Sequence, residues 1–395
     1  MNKKIIFNLL QYYNIVILIY FTWNGLVFSN SLFILYSLIV IFMNLCVIYK
    51  EKINFFYQIK NKCTILLIPI LFIISTYSSI FKENSLISSL KLLILTINIL
   101  LWSCIYNKKE FFSMLSKYFV LSIFFCIIIA FFIPQLGLQY YEGEKLLRGV
   151  YNHKNILGRN MVLASIILLN FSYNYSKYWL GKLYKISGYL AIVLVICSKS
   201  FTSIILLSLF IILNRFIKVK RKKKWRFNKI IYGAIILANT LICIISTSNI
   251  VSILESIKVG SKDLTFSGRI FIWKFSLEYI KQKPFLGYGL NAFWSYINYK
   301  KTFFSLYGFS VSHSHNGYIN LILDGGIIMF ALIMLLIIKI MEFYKNKISD
   351  LYSLTIVISL GYILSENLFE SCLVNSSTYI FWVVISYYYC LYKEE

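Results

Sequence analysis

Residues 31–49 read SLFILYSLIVIFMNLCVIY, nineteen consecutive positions without a charged side chain. A helix rises 1.5 Å per residue, so about twenty such residues cross the roughly 30 Å hydrocarbon layer of a bilayer. Working outward, comparable apolar stretches recur at about 12–28, 63–81, 86–106, 117–134, 157–174, 184–198, 201–217, 230–249, 321–341, 351–368 and 376–392. Lipid offers no partners to backbone amides, so each stretch is expected to be helical. The stretches at 184–198 and 201–217 are parted only by Ser198, Lys199 and Ser200 and read equally well as one bent unit. The fold class expected is an all-α polytopic membrane protein of about 12 transmembrane helices.

The composition agrees. Of 395 residues, 59% are hydrophobic and only 14% charged. A soluble chain of this length needs far more charge to cover its surface. Three prolines and seventeen glycines leave no room for a disordered linker. The eight cysteines lie in or beside apolar stretches and form no CxxC pair, which argues against a disulfide framework or a zinc site. Lys3 and Lys4 precede an apolar stretch that a second one follows at once, so a first membrane helix is expected, not a cleaved signal.

The net charge of +25 would suggest nucleic acid in a soluble chain. Here topology accounts for it. With the N-terminus in the cytoplasm and twelve crossings, 25 of the 40 Lys and Arg fall on the cytoplasmic side, against six acids. Cytoplasmic loops collect Lys and Arg, so N- and C-termini are both expected inside, in a bacterial inner membrane. The run KVKRKKK at 218–224 reads as a topology anchor, with anionic lipid headgroups as its other partner. No nucleic-acid partner is needed.

This frame divides the chain into helices one to five (1–134), a first outer segment (135–156), helices six to nine (157–249), a large outer loop (250–320) and helices ten to twelve (321–395). All three histidines fall in the two outer segments: His153 in the first, His313 and His315 in the second. Long loops in compact proteins usually carry function. Within the large loop, RIFIWKFSLEYIKQ at 269–282 repeats Ile270, Trp273, Leu277 and Ile280 at helical spacing. Ser267 can cap its start and Pro284 follows its end. A short amphipathic helix at the membrane–water boundary is expected, with Arg269 and Trp273 on one face. Asp324, Gly325 and Gly326 fall near the start of the tenth helix, and a carboxylate there is expected to face a cavity or a partner.

Four pieces of sequence then carry a resemblance: R-G-x-x-x-H-x-N at Arg148–Asn155, S-K-S at Ser198–Ser200, S-G-R-x-x-x-W with P-F-L-G-Y-G at Ser267–Gly289, and H-S-H-N-G-Y with D-G-G at His313–Gly326. In order and spacing the chain resembles the O-antigen ligase and O-antigen/capsule polymerase family of bacterial envelope glycosyltransferases. That resemblance implies glycan transfer from an undecaprenyl-diphosphate-linked oligosaccharide to a sugar hydroxyl of a glycan or lipid-linked glycan acceptor. It implies that His315 is the catalytic residue and that Arg148 and Arg269 bind the donor diphosphate. Lys199 stands where the family usually has arginine; it keeps the charge and loses the bidentate fork. His153, Asn316 and Trp273 complete the expected substrate contacts.

The chemistry fits these residue types. A departing lipid diphosphate develops negative charge, which cationic side chains or a metal can stabilise. No DxD motif occurs, so cations are expected to serve, with no metal and no cofactor. A histidine near its ordinary pKa suits a general base at neutral pH. A carboxylate is the other route, with Glu142, Glu144 and Asp324 as candidates. Glu366 and Glu370 are expected to be structural, pairing with Arg148 or Lys199. The leading reading is a repeat-unit polymerase for capsule, O-antigen or exopolysaccharide, working beside membrane lipids, a chain-length regulator and a flippase. The alternatives are a ligase that moves finished glycan to a lipid A–core acceptor, and a transporter or flippase of lipid-linked sugars.

Overall fold

The computed structural model describes residues 3–23, 30–59, 62–141, 143–175, 178–219, 258–259, 262–263, 268–344 and 351–374. Twelve main helices lie in these segments. They are α1 (Lys3–Thr22), α2 (Asn30–Lys50), α3 (Leu67–Ser75), α4 (Lys82–Ile105), α5 (Lys108–Phe132), α6 (Lys154–Ser172), α7 (Trp179–Cys197), α8 (Phe201–Val219), α9 (Arg269–Gln282), α10 (Ile297–Tyr307), α11 (Gly317–Tyr344) and α12 (Leu351–Glu366).

Among the described residues, six helices are long and apolar enough to cross a membrane: Leu32–Lys50 within α2, α4, α5, α6, α7 and Gly317–Phe343 within α11. Shorter apolar helices occupy Ile6–Thr22, Cys63–Ser78, Phe201–Ile212 and Leu351–Glu366. The apolar stretches expected at 230–249 and 376–392 lie outside the described residues. An all-α membrane protein is therefore found, with six candidate spans by length and composition among the described residues; the count of about twelve is not established.

Hydropathy and burial run opposite to a soluble protein. α6 has the lowest mean hydropathy of the six, 1.2, yet 83% of it is buried. α2 has a mean hydropathy of 2.5 and is 33% buried, with Leu35, Leu38, Ile39 and Phe42 exposed. Lipid rewards apolar side chains on the outside, so the polar residues collect where protein surrounds the helix. α6 packs against α5, α7, α8 and α12 and carries buried Arg159, Asn160 and Asn170.

Helix ends follow local chemistry. Asn107 and Glu110 form a reciprocal capping box at the start of α5. It starts the helix nine residues before the apolar stretch that marked it. The S-K-S stretch breaks the chain between α7 and α8, so these are two helices and not one bent unit. Ser198 Oγ accepts from the Ser200 N–H at 3.2 Å and Lys199 adopts a left-handed φ of 50°.

Two features mark the segments expected to lie outside. In the first outer segment, Leu138–Tyr141 and Glu144–Leu147 pair as an antiparallel hairpin with Tyr141 opposite Glu144. In the large loop, α9, α10 and the turn between them bury their own aromatic core: Trp273, Phe275, Tyr288, Phe293, Trp294 and Phe303, with Ile319 and Leu323 of α11. The expected amphipathic helix is present as α9. Gly268, at φ 81°, holds its N-cap position, while Ser267 lies outside the described residues.

Candidate active site

The fourth motif is fixed before any substrate is considered. Asn316 caps α11, its Oδ1 accepting from the N–H groups of Tyr318 at 3.0 Å and Ile319 at 3.1 Å. The Gly317 N–H donates to the Asn367 carbonyl at 2.8 Å, and a Cβ at Gly317 would strike the Asn367 side chain. Ser314, between the two histidines, is gripped by two indoles. Trp273 Nε1–H donates to its carbonyl at 3.0 Å and Trp294 Nε1–H to its Oγ at 2.9 Å. His315 follows in a left-handed conformation, φ 47°. A non-glycine residue is held there only when its surroundings over-determine it, and such residues gather at functional sites.

The second layer comes from the chain just beyond α12. Glu370 is buried and faces three partners. His313 Nε2–H donates to its Oε2 at 2.7 Å, and Asn155 Nδ2–H donates to its Oε1 at 3.1 Å. His315 Nδ1 stands 3.4 Å from the same Oε1. The two imidazoles lie with ring centroids 4.0 Å apart. Beneath them Arg159 is buried in α6, donating to the Ser371 carbonyl at 3.2 Å and to Cys372 Sγ at 3.3 Å.

Burial lowers the His315 pKa below its ordinary value; Glu370 opposes this, and the charges of His313 and Arg269 add to it. Burial would raise Glu370, but the hydrogen bond from His313 and the adjacent His315 ring hold it well below the usual carboxylate range. His153 is also lowered, chiefly by burial, with Glu370 opposing.

The two histidines are not equivalent. His313 has both ring nitrogens engaged, Nε2 by Glu370 and Nδ1 by Ser312 Oγ at 3.0 Å. His315 turns only Nδ1 toward Glu370, and its Nε2 meets no partner among the described residues. A proton acceptor needs a nitrogen free to accept.

The other expected residues divide. His153 caps α6, its Nδ1 accepting from the Asn155 N–H at 3.2 Å. Arg269, the first residue of α9, lies near enough to bear on both His315 and Glu366. Trp273 and Asn316 do work inside the protein, as the indole holding Ser314 and as a helix cap. Arg148 donates to the carbonyls of Leu136 at 2.8 Å and Gln135 at 3.3 Å. Lys199 pairs with Glu144 of the hairpin at 3.0 Å, both exposed. The expected pairing of Glu366 or Glu370 with Arg148 or Lys199 is therefore corrected. Both carboxylates are buried beside Arg159, and Glu370 is the hub of the histidines. Only its position in SENLFES, just past an apolar stretch, hinted at this.

The glycine-rich motifs answer each other. Gly326, at φ 67° and ψ −174°, breaks α11. The freed carbonyls of Leu323 and Asp324 accept from the N–H groups of Tyr288 at 2.8 Å and Gly289 at 2.9 Å, and the Ile327 N–H donates to the Pro284 carbonyl at 2.8 Å. The P-F-L-G-Y-G and D-G-G motifs are thus one structural joint. Asp324 is buried and accepts from Asn320 Nδ2–H at 3.0 Å. It faces a partner, as expected, and no open surface.

The donor atoms of His313, His315 and Glu370 lie within 4.8 Å of one another, near enough to share a cation. Two histidines and a carboxylate have the composition of a zinc set. The same atoms already face one another directly, with the positive charge of Arg159 and Arg269 close by.

Comparison with known proteins bears on this arrangement. Residues 186–334 match the model of the O-antigen ligase family. The match takes in Lys199, Arg269, Trp273, His313, His315 and Asn316, and so bears out the resemblance those motifs carry. It supports a function of the O-antigen ligase or polymerase type and, with the apolar helices, a multi-pass membrane protein. The site reaches beyond it on both sides, to His153 and Asn155 before and Glu370 after. No curated protein matches the chain.

Proposed function

We propose that the protein polymerises lipid-linked oligosaccharide repeat units at the outer face of the bacterial cell membrane. His315 is the general base and Arg269 the principal contact to the donor diphosphate. The observation that carries this reading is the convergence of Asn155, His313 and His315 on Glu370, which engages Nε2 of His313, sets Nδ1 of His315 against the carboxylate at 3.4 Å and leaves Nε2 of His315 without a partner among the described residues. In the transfer, the acceptor hydroxyl gives its proton to Nε2 as its oxygen bonds to the anomeric carbon. The bond from that carbon to the diphosphate oxygen breaks, and the lipid diphosphate leaves with the electron pair. Arg269 stabilises that charge by bidentate hydrogen bonding.

Arg148 and Lys199 are assigned to the same diphosphate. Lys199 is paired with Glu144 at the exposed surface. Such a pair contributes only about 0–1 kcal/mol, so a diphosphate can compete for the lysine. Of the alternative carboxylate bases, Asp324 is buried against Asn320, Glu144 is paired with Lys199, and Glu142 lies outside the described residues. The repeat-unit acceptor, rather than lipid A–core, is chosen because polymerases are the more varied group. A transporter is disfavoured because His313, His315, Glu370 and Arg269 gather in one cluster and not at two sites related by a repeat.

The test compares variants at matched membrane levels, reading polymer length on a gel. His315→Ala should leave single repeat units on the carrier, with transfer down by about 10²–10⁴. Arg269→Lys should weaken donor use without abolishing transfer, and His313→Ala should do less than His315→Ala. Normal-length polymer from His315→Ala overturns the assignment. Transfer of finished glycan to lipid A–core, with repeat polymerisation untouched, selects the ligase.

A further inference from the structure

We infer that Glu370 is a positioning residue for His315, setting which imidazole nitrogen carries the proton and stabilising the ring once it is charged. The inference rests on the proposed role of His315 as base, and assigns its partner. Four observations carry it. Glu370 is 5% exposed and keeps its charge through Nε2–H of His313 and Nδ2–H of Asn155, whose polar atoms are within 3.1 Å. Its Oε1 lies 3.4 Å from Nδ1 of His315. A carboxylate at Nδ1 keeps the proton there, so the lone pair belongs to Nε2, the nitrogen with no partner among the described residues. The separation of 3.4 Å is longer than a good hydrogen bond, and such contacts in substrate-free sites tighten when the reacting group arrives.

His313 and Asn155 act through Glu370 in turn. His313 hydrogen-bonds one oxygen and Asn155 the other, so the carboxylate cannot rotate away from His315. Asn155 stands in the first turn of α6, Glu370 beyond α12, and the histidines before α11. The proton geometry at one nitrogen thus depends on three segments far apart in sequence.

The charged and titratable groups that bear on His315 from the packed elements are Glu370 beyond α12, His313 on its own turn and Arg269 of α9. Those that bear on the neighbouring His153 are Glu370, Lys154, His313 and Arg159. Among those acting on His315, Glu370 alone favours its protonated form. Removing that charge should therefore lower the pH at which His315 gains its proton.

The experiment makes Glu370→Gln in the full-length protein and takes two readings. The first is the rate at which purified enzyme elongates lipid-linked repeat units extracted from the same cells. The second is the pH dependence of diethyl pyrocarbonate modification at His315, resolved by peptide mass spectrometry. A glutamine amide can donate to Nδ1 and favour the wrong tautomer. Elongation should fall by about 10²-fold or more, and the modification midpoint should move down by about one pH unit. Loss of elongation with an unmoved midpoint marks a merely structural glutamate and overturns the inference. So does a moved midpoint with full elongation. If His315→Ala itself elongates normally, the base assignment fails, and the midpoint still reports whether Glu370 governs His315. Should Glu370→Gln not accumulate, Glu370→Asp takes its place. It keeps the charge one methylene back, so it should keep most of the midpoint and lose elongation only in part. Full elongation and an unmoved midpoint in Glu370→Asp overturn the inference.

Discussion

At Glu370 one carboxylate serves two histidines, and its surroundings decide whether the three hold a proton or a metal ion. Arg159 lies beneath, and Arg269 bears on His315. Two guanidinium groups beside a three-donor set make a divalent cation a poor tenant, whereas they leave a proton transfer unharmed. Elongation by the purified enzyme is therefore expected to persist in excess chelator. Complete loss, restored by one particular metal, would assign the three donors to that ion. The sign of the pH dependence follows from the same groups. His315 accepts a proton only when neutral, and its pKa lies below the ordinary 6.5. The acidic limb of the elongation rate should accordingly fall below that value. The histidines and Arg269 were legible in the sequence because they stand in motifs of distinctive composition. Glu370 was not, because a lone glutamate past an apolar stretch resembles any helix-end carboxylate until its three partners are seen to converge.

At the scale of elements, α9 and the capped start of α11 follow from local patterns. The outward shift of α5 follows from a capping box that a hydropathy reading passes over. The joint at Gly326 was half legible. Its glycines announced a close approach, and only the fold shows that the approach is to 284–289. Gly326→Ala should be costly twice over. Its φ of 67° disfavours any side chain, and a Cβ there would meet the Phe285 backbone. Gly308 caps α10 at φ 78° with nothing within 4 Å of its Cβ position, so Gly308→Ala carries the conformational cost alone, about 1–2 kcal/mol. Thermal unfolding of both variants in detergent checks this. Gly326→Ala should lower the midpoint clearly more than Gly308→Ala, and equal midpoints would remove the joint from the account.

For the molecule as a whole, the proposed orientation rests on charge placement, while the described helices bury the polar α6 within the bundle and leave the apolar α2 at its surface. The proposed orientation puts α10 outside the cell and the turn after α2 in the cytoplasm. On a background without native cysteines, Ser305→Cys in α10 should react with a membrane-impermeant thiol reagent in intact cells, and Asn54→Cys should react only after lysis. The reverse pattern would move the histidines to the cytoplasm and dismantle the proposed reaction. The number of crossings was the least legible property, since apolar stretches such as Cys63–Ser78 and Leu351–Glu366 fall near the length at which a helix just spans.

The joint at Gly326 also limits how the outer part can be exchanged. Backbone groups at 323–327 are satisfied by partners at 284–289, so neither segment is complete by itself. A transplant that takes the loop and leaves the helix would strand amides and carbonyls in a packed seam, where each buried group left unpaired costs about 1–3 kcal/mol. Outer loops of two related chains can be traded only as cassettes that carry both halves of the seam, and the boundary of such a cassette lies beyond Ile328, inside the bilayer helix and not at its visible edge.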